Sequence, residues 1–139
     1  MTAPRPQGNY RAVRLHDGVL YVAGMTPRDA DDRPRRGIVG VDLDRGEARD
    51  AAATAAERAI AAIRSALPDG ARVSAVLRLV VYIAAAPGFT EHSAVADGAS
   101  DRLAAAFGGD VLGARTAVGV VSLPGGAPVE VEVTTAVTG

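Results

Sequence analysis

The chain predicts an α+β sandwich, a mixed β-sheet with two helices packed on one of its faces. Three observations carry that expectation. In the last segment Val129, Val131, Val133, Thr135 and Val137 alternate with Glu130, Glu132, Thr134 and Ala136, the period-two pattern of a strand with one buried and one polar side. Two earlier segments repeat instead at helical spacing and are bounded by turn residues. The order that results is hairpin, long helix, strand, helix, strand, strand, which lets both helices share one side and leaves the other sheet face bare.

Composition bounds the rest. The 139 residues, 48% of them hydrophobic, suffice for one core, so residues 1–139 read as a single domain. There is no cysteine, which excludes disulfides, thiolate nucleophiles and zinc-thiolate sites. All 15 basic residues are arginine; without lysine there is neither Schiff-base catalysis nor a covalently held pyridoxal phosphate. His16 and His92 are far apart and neither lies in a ligand-spaced motif, so both read as structural or surface residues and no metal is expected. A net charge of −1, with three tyrosines and two phenylalanines, gives little to attract a phosphate backbone or stack on bases, so no nucleic acid is expected as a partner. No apolar run is long enough to cross a bilayer, and Met1 to Tyr10 hold Pro and Arg rather than a signal-peptide core. No membrane partner is therefore expected, and the expected location is cytoplasmic.

Arg11 to Leu15 and Val19 to Ala23 flank His16-Asp17-Gly18, which predicts a first hairpin. From Met25 to Asp42 the chain is polar and Pro-containing, an exposed connection, with the mixed-charge run Arg28 to Arg36 as a solvated loop. Asp44-Arg45-Gly46-Glu47 has capping-box spacing, and a helix follows to about Leu67. Ala52, Ala56, Ile60, Ile63 and Leu67 form its narrow apolar stripe, with Arg49, Glu57 and Arg64 on other faces. Pro68-Asp69-Gly70 stops it.

Val73 to Ile83 read as a central strand covered on both sides: Val73, Ala75, Leu77, Leu79, Val81 and Ile83 on one face, Val76, Val80 and Tyr82 on the other. Arg78 within it needs a partner or an interface. A second helix starts near Thr90 or Ser93 and ends at Phe107, before Gly108-Gly109; Gly98 weakens it by about 1 kcal/mol unless packing needs the space.

The strand Arg115 to Val120 is expected to pair antiparallel with the last strand through the loop Ser122 to Pro128. With the valine-rich faces buried together, Arg115 shares the opposite face with Glu130 and Glu132. One guanidinium and two carboxylates on small residues can hold a small anion; a cross-strand ion pair on a solvated face is the other reading.

Gly8-Asn9-Tyr10, Leu20-Tyr21-Val22-Ala23-Gly24, Ala114-Arg115-Thr116, Leu123-Pro124 and Val129-Glu130-Val131-Glu132, in this order and spacing, resemble the RidA/YjgF/UK-type family of reactive-intermediate deaminases across nearly the whole chain. The resemblance implies a homotrimer of chorismate-mutase-like subunits, with the sheets forming an inner barrel and ligand clefts between neighbours. It implies hydrolysis of small-molecule enamines and imines to ammonia and 2-oxo acids, without a cofactor.

Onto this sequence it carries Arg115 as the anchor of the substrate carboxylate, which a guanidinium can grip through two parallel hydrogen bonds. Glu130 is carried over as the group that positions and activates water, with Glu132 as a second candidate. Tyr10, Ala23 and Gly24 are carried over as cleft residues; packing on the hairpin is the alternative for Tyr10, and a plain turn for Gly24.

Ala23 stands where the typical deaminase has serine, Gly113 where proline is usual, and Ala117 where cysteine is common. The segment Pro87 to Asp101 is longer and offers no Asn. These departures leave open a non-catalytic trimer that binds a carboxylate or 2-oxo acid, or an accessory protein of specialised metabolism. The family's older label of endoribonuclease or translation inhibitor finds no histidine pair, basic face or lysine here.

Overall fold

A computed structural model describes residues 2–139. Strand β1 (Val13–His16) turns into β2 (Val19–Val22) through Asp17 and Gly18. Their φ angles are 48° and 76°, and positive φ at both positions is what a two-residue turn between right-twisted strands requires.

Helix α1 (Arg45–Ala66) opens on the capping box: the Asp44 carboxylate accepts from the Glu47 amide at 2.8 Å, and the Asp44 amide donates to the Glu47 carboxylate at 3.2 Å. Its buried side is wider than the predicted stripe. Ala48, Ala51, Ala55 and Ala59 are as fully buried as Ala52, Ala56 and Ile63, because the helix packs against the sheet and also against α2 (His92–Phe107). The alanines let the helices approach closely. At Gly98 of α2 an added Cβ would lie 2.1 Å from the Arg49 carbonyl oxygen, so packing does need that space. Ion pairs Arg45–Glu91, Arg49–Asp101 and Arg102–Glu57 line the seam between the two helices.

The five-stranded sheet has the order β1-β2-β5-β3-β4, with β3 (Arg72–Ala84), β4 (Ala114–Val120) and β5 (Val129–Thr138). The expected antiparallel pairing of β4 with β5 does not form, since β3 lies between them. It pairs antiparallel with β5 and parallel with β4, the direction a strand takes when it returns through a helical crossover such as α2.

β3 is central, as predicted, but its faces are not the predicted ones. Register shifts between Val73 and Ala75 and between Val76 and Arg78 re-aim the side chains. Val73, Val76, Leu79, Val81 and Ile83 are buried while Leu77 is 45% exposed. Nor is it covered on both sides: the helices cover one face, and Val80 and Tyr82 are only half-buried on the other.

The connection from Met25 to Asp42 is less exposed than its composition implies. Met25 forms a bridge with Val131 of β5, Val39 bridges to Ala85, and Met25, Pro27 and Val39 are buried. Its charged middle is solvated from Asp29 to Pro34, with Arg33 paired to Asp29, but Arg28, paired to Asp32, is not: its side chain is 20% exposed and turns into a cleft. Arg78 finds no carboxylate among the described residues; it donates to the Thr116 hydroxyl on β4 at 2.8 Å. His16 is exposed beside Asp17, and His92 meets the Phe89 ring edge-on.

Candidate functional site

Val129, Val131, Val133 and Thr135 of β5 point into the core, so Glu130 and Glu132 leave the bare face together, as the alternation predicts. They enter different depressions. Glu132 accepts from the Tyr82 hydroxyl at 2.8 Å, in a shallow hollow of about 360 Å³ that it shares with Arg78 and Thr116.

Glu130 enters a cleft of about 270 Å³ whose walls include Tyr10, Gly24, Thr26, Arg28 and Arg58. Gly24 is what lets it in: an added Cβ there would lie 2.9 Å from the Glu130 Cδ. Half-burial, and secondly the charge of Glu132, push the Glu130 carboxyl above the usual glutamate range. Tyr10 forms a wall of this cleft, 49% exposed, and its hydroxyl accepts from the Gln7 amide at 3.1 Å. Ala23 does not line the cleft; its amide donates to the Ala12 carbonyl at 2.8 Å.

Arg115 is elsewhere. It stands opposite Leu79, which is itself opposite Val133, so Arg115 lies on the helix-covered face and not beside the glutamates. The prediction had β4 bury its valines. Instead Val118 is 40% exposed, and Arg115, Ala117 and Gly119 turn toward α2. There is little room there: a Cβ on Gly119 would lie 2.8 Å from His92 Nε2, so the small residues of the strand take the crowded side.

The Arg115 guanidinium is held by α2. Nη1 donates to Asp97 at 2.7 Å and to the Ser100 hydroxyl at 3.0 Å, and Nη2 donates to the Ser93 hydroxyl at 2.7 Å. Nη2 also donates to the Ser93 carbonyl at 3.4 Å, and Nε–H has no partner among the described residues. A cavity of about 310 Å³ adjoins it, bounded by Leu112 and Gly113. Gly113 is glycine for a local reason: a Cβ would lie 1.9 Å from the Val76 carbonyl oxygen, where β3 is irregular.

Three arginines in the wall of the Glu130 cleft escaped the sequence reading as site residues, Arg5, Arg28 and Arg58. Arg58 donates from Nη1 to the Thr26 carbonyl at 2.6 Å. Burial first, and the neighbouring Arg28 charge second, hold its pKa below the ordinary arginine value. The signal was present in the alanines and isoleucine around it, Ala55, Ala56, Ala59 and Ile60, which place this charge at the border of the buried side. Among the described residues no group of His, Asp and Glu could hold a metal ion, and no helix is long and apolar enough to cross a membrane.

Known proteins share this architecture. The model of the family described as Endoribonuclease L-PSP matches residues 1–137. Protein TCP17 of Trypanosoma cruzi is 38% identical over 131 residues, covering 94% of this chain and 82% of that protein. The crystal structure of Atu1372 from Agrobacterium tumefaciens, a protein of unknown function, is similar with a TM-score of 0.88 at 31% identity, over 99% of this chain and 88% of that one. YyfA of the Rid family from Yersinia pestis shares the fold, with a TM-score of 0.58 at 21% identity over 97% and 93% of the two chains. The chain belongs to the Endoribonuclease L-PSP family, which is the YjgF/RidA family.

Proposed function

We propose that this protein hydrolyses 2-imino acids and their enamine tautomers to 2-oxo acids and ammonia, without a cofactor, in clefts completed by a second subunit of a homotrimer. The observation that carries the reading is Glu130, a half-buried carboxyl with a raised pKa in a small cleft made accessible by Gly24.

A carboxyl tuned upward exchanges protons more readily near neutral pH than an ordinary glutamate. In this mechanism Glu130 takes a proton from water as the oxygen adds to the C=N carbon. Glu130 returns that proton to the imine nitrogen, giving a carbinolamine; its hydroxyl proton then passes to the nitrogen as the C–N bond breaks, so the C=O forms, ammonia leaves and Glu130 ends as the carboxylate it began as. Arg115 holds the substrate carboxylate through its Nε–H, which Asp97, Ser93 and Ser100 leave open, and through the Nη2–H that the carboxylate takes over from the long 3.4 Å bond to the Ser93 carbonyl. Within one chain Arg115 and Glu130 lie on opposite faces of the sheet, so the reading requires Arg115 of one protomer to meet Glu130 of its partner. The bare sheet face is the surface available for that assembly.

The test is to generate imino acids with an amino-acid oxidase and follow 2-oxo acid release, with Arg115→Ala as control. Release faster than in buffer, lost in the variant, is expected; release no faster than in buffer ends the hydrolase reading. One observation favours a second reading, a carboxylate-binding trimer without turnover: Asp97 already neutralises Arg115. Calorimetric binding of 2-oxo acids with no imine turnover would favour it.

A further inference from the structure

We infer that the Glu130 cleft contains a second anion subsite, formed by Arg58 and Arg28, and that its ligands carry an acidic group at the end remote from the reacting carbon. The inference deepens the hydrolase reading and rests on it for the word substrate; the subsite itself rests on the cleft.

Arg58 is half-buried, yet among the described residues it has no carboxylate partner and makes a single hydrogen bond, from Nη1 to the Thr26 carbonyl. Its Nε and Nη2 hydrogens have no partner among the described residues. Arg28, whose side chain is 20% exposed, spends only Nε, on the Asp32 carboxylate at 2.8 Å and carbonyl at 3.1 Å. Both line the same cleft, with Arg5 also in its wall.

Among the described residues the only carboxylate lining that cleft is Glu130, and it forms no ion pair with either arginine. Two further acids, Asp29 and Asp32, line the adjoining hollow with these arginines; Asp32 is 84% exposed and engaged by Arg28, and Asp29 is engaged by Arg33. Burial first and the repulsion of Arg28 second work against Arg58 being charged, and the exposed Asp32 and Tyr10 offset them only in part. Holding the loop at Thr26 explains one N–H of Arg58 and none of this juxtaposition, since a neutral amide could donate the same bond. An anion held in the open forks would offset the desolvation and the repulsion together, with the planar geometry that guanidinium offers a carboxylate or phosphate. At about 270 Å³ the cleft is at the small end of ligand pockets and suits an acid of a few carbons.

The test is calorimetric titration of the wild-type protein with 2-oxoglutarate, 3-phosphohydroxypyruvate and 2-oxobutanoate, repeated on Arg58→Gln and Arg28→Gln. One of the two doubly acidic ligands should bind about 10- to 100-fold more tightly than 2-oxobutanoate, and which one does so identifies the acidic group. That preference should fall toward one in both variants. Arg28 lies on a connection outside the helices and strands, so its variant keeps the test open if Arg58→Gln does not fold. Equal binding of all three acids, binding of none, or a preference that survives both substitutions overturns the subsite. The imine assay reads separately: preference without turnover keeps the subsite and removes the hydrolase, and turnover without preference does the reverse.

Discussion

Glu130 has opposite consequences for stability and for activity. Its folded pKa is raised above the ordinary glutamate value of 4.5, so the native chain binds this proton more tightly than the unfolded chain does. Stability from the protonated form is fully present below 4.5 and is lost as pH rises through the folded value, after which the fold carries a half-buried charge. Glu130→Gln removes that charge at a similar shape. Its Tm is therefore expected above the wild-type Tm at about pH 7, with the gap closing as the pH falls below the ordinary glutamate value. Under the proposed mechanism its imine hydrolysis falls by about 10²- to 10⁴-fold. A variant equally stable at both pH values would mean that burial does not perturb the group.

At the scale of elements, the contact between α1 and α2 is set by Gly98. Alanine there gains about 1 kcal/mol of helix propensity, but its Cβ would meet the Arg49 carbonyl oxygen at 2.1 Å, a backbone atom that moves only with its helix. Overpacking of this kind costs about 1–3 kcal/mol. Gly98→Ala is thus expected to lower the midpoint of urea unfolding, whereas propensity alone would raise it.

Elements of this kind were legible in the sequence where their determinants are local. Asp17-Gly18 fixed the hairpin, Asp44 and Glu47 fixed the start of α1, and the valines of β5 fixed which side of that strand is buried. Pairing was not legible, because β3 enters between β4 and β5 through contacts far apart in sequence, and its irregular register depends on its partners. Arg115 was placed on the wrong face for a related reason. Alternation in β4 shows that Arg115, Ala117 and Gly119 share a side, but only the crowding by His92 and α2 decides that the small side faces inward. Gly24 and Glu130 were legible as motif residues, yet their contact was not, and Arg58 was hidden in a helix read for its apolar stripe alone.

For the molecule as a whole, the proposed chemistry turns on whether one chain contains a site. Arg115 projects from the edge strand β4 toward α2, whereas Glu130 projects from the far side of the sheet into the cleft beside Tyr10. If a trimer joins the Arg115 edge of each protomer to the Glu130 cleft of the next, every site draws one residue from each of two chains. Arg115→Ala and Glu130→Gln homotrimers are then each inactive for a different reason. Refolded together in equal amounts, they form mixed trimers in which a protomer with intact Glu130 meets one with intact Arg115 at about a quarter of the interfaces, by random assembly around a closed ring. Imine hydrolysis should recover to about a quarter of the wild-type rate, and light scattering should report three times the chain mass. If both residues served one site within a single chain, the mixture would stay as inactive as its components, and the intersubunit cleft would be excluded whatever the oligomeric state.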